Sequence, residues 1–229
     1  MRVVVPFAAT DPKTRLESVL AAPERSTFAR AMLADVLRSV VEAGHEPRVV
    51  STAPLDLDDL ALPDRVLESV SVTVDDRSLT EAVNARLPSA GGDDAVAVVM
   101  SDLALATPDA LEALVSQDAG VTIAPGRSGG TNALVVRHPA FRVDYHGASY
   151  LDHCEIAREE GLCLETADSF RLATDIDEPA DLVEVLVHGD DTARAPACLR
   201  RFGFELDTRS GRVDVVRSEE SPTHRSGSK

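Results

Sequence analysis

DAVAVVMSDLALATP, residues 94–108, decides how this chain is read. Ala95 to Met100 is an unbroken, valine-rich apolar run, too short for a helix, and it stops at Ser101-Asp102. Such a run predicts a strand buried on both faces, as in a parallel sheet covered by helices. An acidic residue then stands at the carboxyl end of that strand, where open α/β sheets bind their ligands. Asp102 is not needed as a cap, because Thr107, Pro108 and Asp109 already start the next helix. Asp102 is therefore the first candidate for a metal-binding carboxylate.

Toward the N-terminus, Arg2 to Val5 reads as a short buried strand closed by Pro6, followed by the polar loop Phe7 to Leu16 with Lys13 and Arg15. A basic loop after the first strand is where nucleotide phosphates sit in such folds, although the glycines of the usual phosphate loops are missing. Apart from the terminal Lys229, Lys13 is the only lysine of the chain. An arginine-dominated sequence thus keeps one compact ammonium, suited to a phosphate. Phe28, Met32, Leu33, Val36, Leu37 and Val40 recur at helical spacing, which predicts a helix over 26–42 with Ser26 as N-cap. Strands over 46–51 and 69–74 follow, with a helix over 79–87 ending at Pro88 and Gly91-Gly92. Alternating strands and helices predict an α/β fold, doubly wound around a mostly parallel sheet.

Toward the C-terminus, a helix over 108–116 and a strand over 121–124 lead into Pro125-Gly126-Arg127-Ser128-Gly129-Gly130-Thr131-Asn132. Glycines there allow close backbone approach, Arg127 adds charge, and Thr131 and Asn132 add donors, a set that suits a phosphate or carboxylate. Strands over 133–137 and 141–145 are expected to pair. Ser149 opens a helix over 150–160, where a cap role with Asp152 and reception of an anion are compatible. His146, His153 and Cys154 match no compact zinc spacing. In Thr174-Asp175-Ile176-Asp177-Glu178-Pro179, alternation puts Asp175 and Asp177 on one side, and one of them is positioned to complete a metal site with Asp102. A helix follows over 180–188, a short one within 190–202, a terminal hairpin over 205–216 around Ser210-Gly211, and a tail over 217–229 that reads as disordered.

The 229 residues allow one large α/β domain, here 1–204, with no linker before the tail. A net charge of −16 argues against nucleic acid and anionic membrane surfaces and in favour of small-molecule partners. Abundant Asp, arginine in place of lysine and 3% aromatics suggest a salt-adapted protein with an aliphatic core. Cys154, Cys163 and Cys198 are odd in number and lack a CxxC spacing, so they are expected to be reduced. With neither a signal-peptide core nor a bilayer-length apolar run, a cytoplasmic location is expected.

Four segments taken together, VPFAATDPKTRL with FARAMLADV, MSDLALAT, APGRSGGTNALVV with YHGASYLDH, and TDIDEPADL, resemble the 2-phospho-L-lactate guanylyltransferase family over nearly the whole chain up to Phe204. The resemblance implies a three-layer nucleotidyltransferase fold, GT-A-like and Rossmann-like, serving biosynthesis of the deazaflavin coenzyme F(420). It implies transfer of GMP from GTP to 2-phospho-L-lactate, or to a related phospho-acid such as phosphoenolpyruvate, with release of pyrophosphate. Lys13, Arg15 and Asp102 then match catalytic positions. Pro6, Lys13, Thr14 and Arg15 match the nucleotide-binding loop, and Asp102 with Asp175 or Asp177 the Mg²⁺ site. Gly130, Thr131, Gly147 and Ser149 match the place of the phosphorylated acceptor. A homodimer is implied as well. The chain departs from some members at Ala104, where they carry a second acidic residue, and at His146, where they carry a glycine whose backbone role falls to Gly147.

The acceptor's phosphate, with a second pKa of about 6, is largely ionised at neutral pH and needs no general base. A GT-A glycosyltransferase would place a DxD pair where this chain has Asp102-Leu103-Ala104, and a non-catalytic nucleotide-binding module would have lost the lysine and the aspartates.

Overall fold

A computed structural model describes residues 1–90, 95–209, 211 and 213–218. The strands are β1 (Arg2–Phe7), β2 (Glu46–Ser51), β3 (Ser71–Val74), β4 (Val96–Val99), β5 (Val121–Pro125), β6 (Thr131–Val136), β7 (Leu164–Thr166), β8 (Phe204–Asp207) and β9 (Asp214–Arg217). The helices are α1 (Ala22–Glu42), α2 (Asp64–Leu67), α3 (Leu79–Asn84), α4 (Pro108–Val115), α5 (Ser149–Glu159), α6 (Phe170–Ala173), α7 (Leu182–His188) and α8 (Arg194–Arg201). Seven strands form one sheet in the order β3-β2-β1-β4-β6-β5-β7. The run expected from the sequence is therefore its middle strand. β4 pairs in parallel with β1, matching Arg2 to Val96, and antiparallel with β6, matching Val99 to Ala133. Only β6 runs against the rest.

Side-chain alternation explains why β4 is apolar throughout. Ala97 and Val99 join Val3, Val5 and Phe7 in a core shared with α1 and α4, whereas Val96 and Val98 join Val4, Ile123 and Leu134 on the opposite face. Both faces are covered by helices, which gives the three layers. A third cluster packs Phe28 and Met32 of α1 against Leu182 and Val185 of α7, Leu199 of α8 and Phe204.

The structure corrects three local expectations. Helix α1 begins at Ala22, not at Ser26, because Pro23 fits a first turn and the Glu24 carboxylate accepts the Ala21 N–H at 2.9 Å. Residues 141–145 form no strand. Their backbone is satisfied by side chains: Val143 exchanges two 2.9 Å bonds with Asn84, and the Tyr145 N–H donates to Thr80 at 3.0 Å. Arg217, read as the start of the tail, ends β9, donates to the Val19 carbonyl at 3.0 Å and pairs with Glu24. The expected turn and stop residues Ser210, Gly91 and Gly92 lie outside the described residues, as do 219–229.

Asp35 joins α1 to α8. Only 3% exposed, it accepts the Arg194 and Ala195 N–H groups at 2.8 Å each, which caps α8 from another helix. Burial raises its carboxyl pKa against those two bonds. Replacing Asp35 with Ala leaves both N–H groups without an acceptor and is expected to lower unfolding free energy by about 3 kcal/mol. Urea denaturation measures this, and Asp35→Asn, which keeps one acceptor oxygen, should recover about half; an alanine variant as stable as wild type would show that the bridge is dispensable.

Candidate active site

Strands β1 and β4 run side by side and both point their carboxyl ends at one cleft of about 320 Å³, lined among others by Lys13, Thr14, Arg15, Ser101, Asp102 and Asp177. Asp102 follows β4 by three residues. The Ile176 N–H donates to the Asp102 carbonyl at 3.3 Å and so joins the 175–177 segment to the end of the central strand. Thr174 and Ile176 are buried, and Asp175 and Asp177 alternate with them as partly exposed residues. The alternation expected from the sequence is present.

Lys13 is the centre of the cleft. Its ammonium donates to Asp102 Oδ2 at 2.7 Å and to Asp177 Oδ1 at 2.6 Å, while Arg15 Nη1 donates to Asp177 Oδ2 at 3.0 Å. The Lys13 side chain is 11% exposed and that of Arg15 is 68% exposed. Burial disfavours the Lys13 charge, but Asp102 and Asp177 outweigh it and hold the ammonium above the ordinary lysine pKa. The loop reaches this geometry through left-handed backbone at two residues with side chains, Asp11 at φ 42° and Lys13 at φ 56°. Arg25 holds it there, donating to Asp11 Oδ1 at 2.5 Å and to the Pro12 carbonyl at 3.3 Å. In the sequence Arg25 looks like any charge on a helix.

The donor set fits a hard cation that arrives with phosphates. Asp102 Oδ1 is buried without a partner among the described residues, and the Asp175 carboxyl pKa is raised by burial and by the nearby Asp102 and Asp177 charges. Among the described residues no three His, Cys, Asp or Glu side chains gather closely enough to hold a metal by themselves. Mg²⁺ usually takes one or two carboxylates and completes its shell with substrate phosphates and water. Asn132, inaccessible to sequence reasoning in this role, donates to Asp175 Oδ1 at 3.1 Å and to the Leu172 carbonyl at 3.0 Å. Gly126 makes room for it, since a Cβ there would stand 2.6 Å from Asn132 Oδ1.

Thr131 and Ser149 meet. The Thr131 N–H donates to Ser149 Oγ at 2.9 Å, and the Tyr150 N–H donates to the Gly129 carbonyl at 3.1 Å, which fixes the glycine loop to the start of α5. Both residues are only 4% exposed, and neither they nor Gly130 and Gly147 line the 320 Å³ cleft. Gly147 adopts left-handed backbone at φ 56°, a conformation glycine reaches without strain. Arg127 is not directed at a ligand; it pairs with Asp181 at 2.7 Å, the residue whose other oxygen accepts the Asp177 and Glu178 N–H groups. Pro6 lies within β1, and it is Phe7 and Ala8 beyond it that line the cleft.

His153, fully buried, completes this region. Its Nε2 accepts the Asp144 N–H at 2.9 Å, so the neutral ring carries its proton on Nδ1 and donates it to Thr131 Oγ1 at 2.9 Å. Burial holds the imidazole pKa down at about 4. The unfolded chain, with an ordinary value near 6.5, therefore binds a proton that the folded chain refuses, and stability must fall as pH drops from 6.5 toward 4. The expected loss from this group is about 2–3 kcal/mol. Denaturation at pH 7 and pH 4.5 on wild type and His153→Gln measures it; an equal acid loss in both proteins would assign it to other groups.

Residues 1–218 match the family described as guanylyl transferase CofC like. The chain is 70% identical over 228 residues to the 2-phospho-L-lactate guanylyltransferase of Haloterrigena turkmenica, covering 96% of this chain and 99% of that protein. It is 44% identical to the protein of the same name from Methanosphaerula palustris, over 94% of this chain and 97% of that one. Among solved structures it resembles a nucleotidyl transferase from Methanothermobacter, at TM-score 0.52 and 16% identity over 87% of this chain and 98% of that one. It also resembles a protein of Desulfovibrio desulfuricans G20 assigned as a nucleotide-diphospho-sugar transferase, at TM-score 0.66 and 18% identity over 87% and 94%. At these identities the two structures speak for the nucleotidyltransferase-type fold alone.

Proposed function

Because the chain belongs to the CofC-like guanylyl transferase family, we propose that it joins GMP from GTP to 2-phospho-L-lactate and releases pyrophosphate, in the pathway to coenzyme F(420). The observation that carries this reading is the single ammonium of Lys13 held between Asp102 and Asp177 at the ends of the sheet. Cationic groups and carboxylates at one point are what a polyphosphate and its metal require.

In the reaction an oxygen of the acceptor's phosphate attacks the α-phosphorus of GTP, a new P–O bond forms, and the bond to the β-phosphate oxygen breaks. The acceptor oxygen is already ionised, so the protein has to position it and offset charge rather than remove a proton. Lys13 and Arg15 balance the charge that builds on the departing pyrophosphate, with Thr14 beside them in the nucleotide loop and Pro6 in the strand that leads into it. Asp102, with Asp175 or Asp177, would hold Mg²⁺, which when bound supplies charge neutralisation on the phosphates. Gly130, Thr131, Gly147 and Ser149 form the acceptor end. There Nδ1–H of His153 already occupies one lone pair of Thr131 Oγ1, so the Thr131 hydroxyl proton remains available to an anion. A cytoplasmic homodimer belongs to the same proposal, and light scattering on the eluted protein tests the dimer.

Purified protein, Mg²⁺ and each of GTP, ATP and CTP, combined with 2-phospho-L-lactate or phosphoenolpyruvate, should release pyrophosphate fastest with GTP and one of these acids. Turnover without an acceptor, or on a sugar acceptor instead, would overturn the assignment. At the acceptor end, Ser149→Ala should raise acceptor KM by about 10- to 100-fold, the effect of one hydrogen bond to a charged group, and leave GTP KM nearly unchanged. The reverse pattern would place the nucleotide at the glycine loop.

A further inference from the structure

Helix α1 walls a second cavity, of about 620 Å³, between its residues Thr27, Arg30 and Ala31, helix α8 and the turn at 59–61. Three guanidinium groups line it, those of Arg30, Arg194 and Arg201. Several arginines that reach between elements meet carboxylates, as Arg86 does Asp75, Arg127 Asp181 and Arg217 Glu24, while Arg137 and Arg171 each stand alone on backbone carbonyls. The three cavity arginines form no such pair among the described residues, although Asp59 stands on the same wall. Neutral groups hold two of them instead: the Ala61 carbonyl accepts from Arg194, and Arg201 is set by Cys198 Sγ at 3.9 Å and by the Phe202 ring, 5.6 Å from its guanidinium carbon. Arg30 Nε is buried with no hydrogen-bond partner among the described residues.

Neutral partners fix a cation's position without cancelling its charge. Three guanidinium groups without a direct ion pair around one cavity repel each other, and Asp59 on the same wall supplies one negative charge against three positive ones. Guanidinium forks match phosphate oxygens two at a time, and several of them together match a group with more than one phosphate. We propose that this cavity is a second anion site, separate from the Lys13 cleft, that binds a polyphosphate group, either free pyrophosphate or the phosphate chain of a nucleotide. The two sites share α1: Ala29 and Met32 line the Lys13 cleft, and Thr27, Arg30 and Ala31 line this one.

Calorimetric titration of the full chain, without divalent metal, with pyrophosphate and separately with GTP, tests this. Wild type and Lys13→Ala should both show a pyrophosphate site that Arg30→Gln/Arg201→Gln weakens by about 10- to 100-fold, with turnover of the double variant within about twofold of wild type. Arg201 is exposed, so Arg201→Gln alone keeps the fold and should still weaken the site by about 10-fold. Competition by GTP for this site identifies the nucleotide chain as ligand, and binding of pyrophosphate alone identifies the free anion. Unchanged pyrophosphate binding in Arg30→Gln/Arg201→Gln overturns the proposal, and a change of oligomeric state in that variant with anion binding intact would make the cavity a subunit interface instead.

Discussion

Asp102→Asn should lower turnover by about 10²-fold or more, the size of one lost charge-stabilising group at a reacting centre, with GTP and acceptor binding much less affected. The carboxylate stands three residues past the middle strand, one oxygen on Lys13 and the other buried without a partner among the described residues. Asparagine keeps the shape and still offers Lys13 an oxygen, while Asp177 continues to hold the ammonium at 2.6 Å, so the fold should survive. Steady-state pyrophosphate release across a Mg²⁺ series, with circular dichroism as the folding check, measures the effect. A folded variant turning over at wild-type rate would remove Asp102 from the chemistry. A deficit that extra Mg²⁺ restores would place the loss in metal affinity.

Asp102 was legible because two simple constraints coincide on it: a strand buried on both faces must be apolar, and the first charged residue after it must lie at the ligand-binding end of the sheet. Lys13 was legible through its isolation among arginines. That the two touch was not, since 89 positions separate them and what joins the wall of the cleft is a backbone bond from Ile176 to the Asp102 carbonyl. The family resemblance supplied that neighbourhood; composition and periodicity did not.

The misreadings have a common origin. Arg127 in its glycine loop, residues 141–145 and Ser26 were each assigned from residues near them in sequence, and each was decided by a partner far away or by a stronger neighbour. Arg127 meets Asp181, 54 positions on, and Asn84 satisfies Val143 from 59 positions back. Ser26 lost the helix start to Pro23 and Glu24. The same blindness hid Arg25 and His153, which hold the Lys13 loop and Thr131, because a lone charged or aromatic polar residue on a helix has many uses and the sequence does not tell which side chain it meets.

Lys13→Ala should lower turnover by about 10²- to 10³-fold with every nucleotide and every acceptor alike, since an ammonium meets phosphates and not bases. A second consequence follows from what Lys13 does without substrate. Its ammonium takes one oxygen of Asp102 and one of Asp177, two carboxylates proposed for the metal, so in the free protein lysine and metal compete for the same donors. Removing the lysine leaves those carboxylates facing each other and Asp175, whose pKa is already raised by burial and by both of them. The variant should therefore bind Mn²⁺ more tightly than wild type in the absence of nucleotide, by roughly 10-fold or more for one unit charge close to the site. Titration calorimetry or the Mn²⁺ electron-spin signal reads this without any turnover. In wild type two of the three ammonium N–H donors are on the aspartates and one is left for a phosphate, so a metal that draws either aspartate away frees a further donor, and metal and nucleotide should each favour the other's binding. Equal Mn²⁺ affinity in the two proteins would mean that the metal uses carboxylate oxygens that Lys13 does not touch, and a turnover loss confined to one acceptor would move Lys13 out of the nucleotide's side of the cleft.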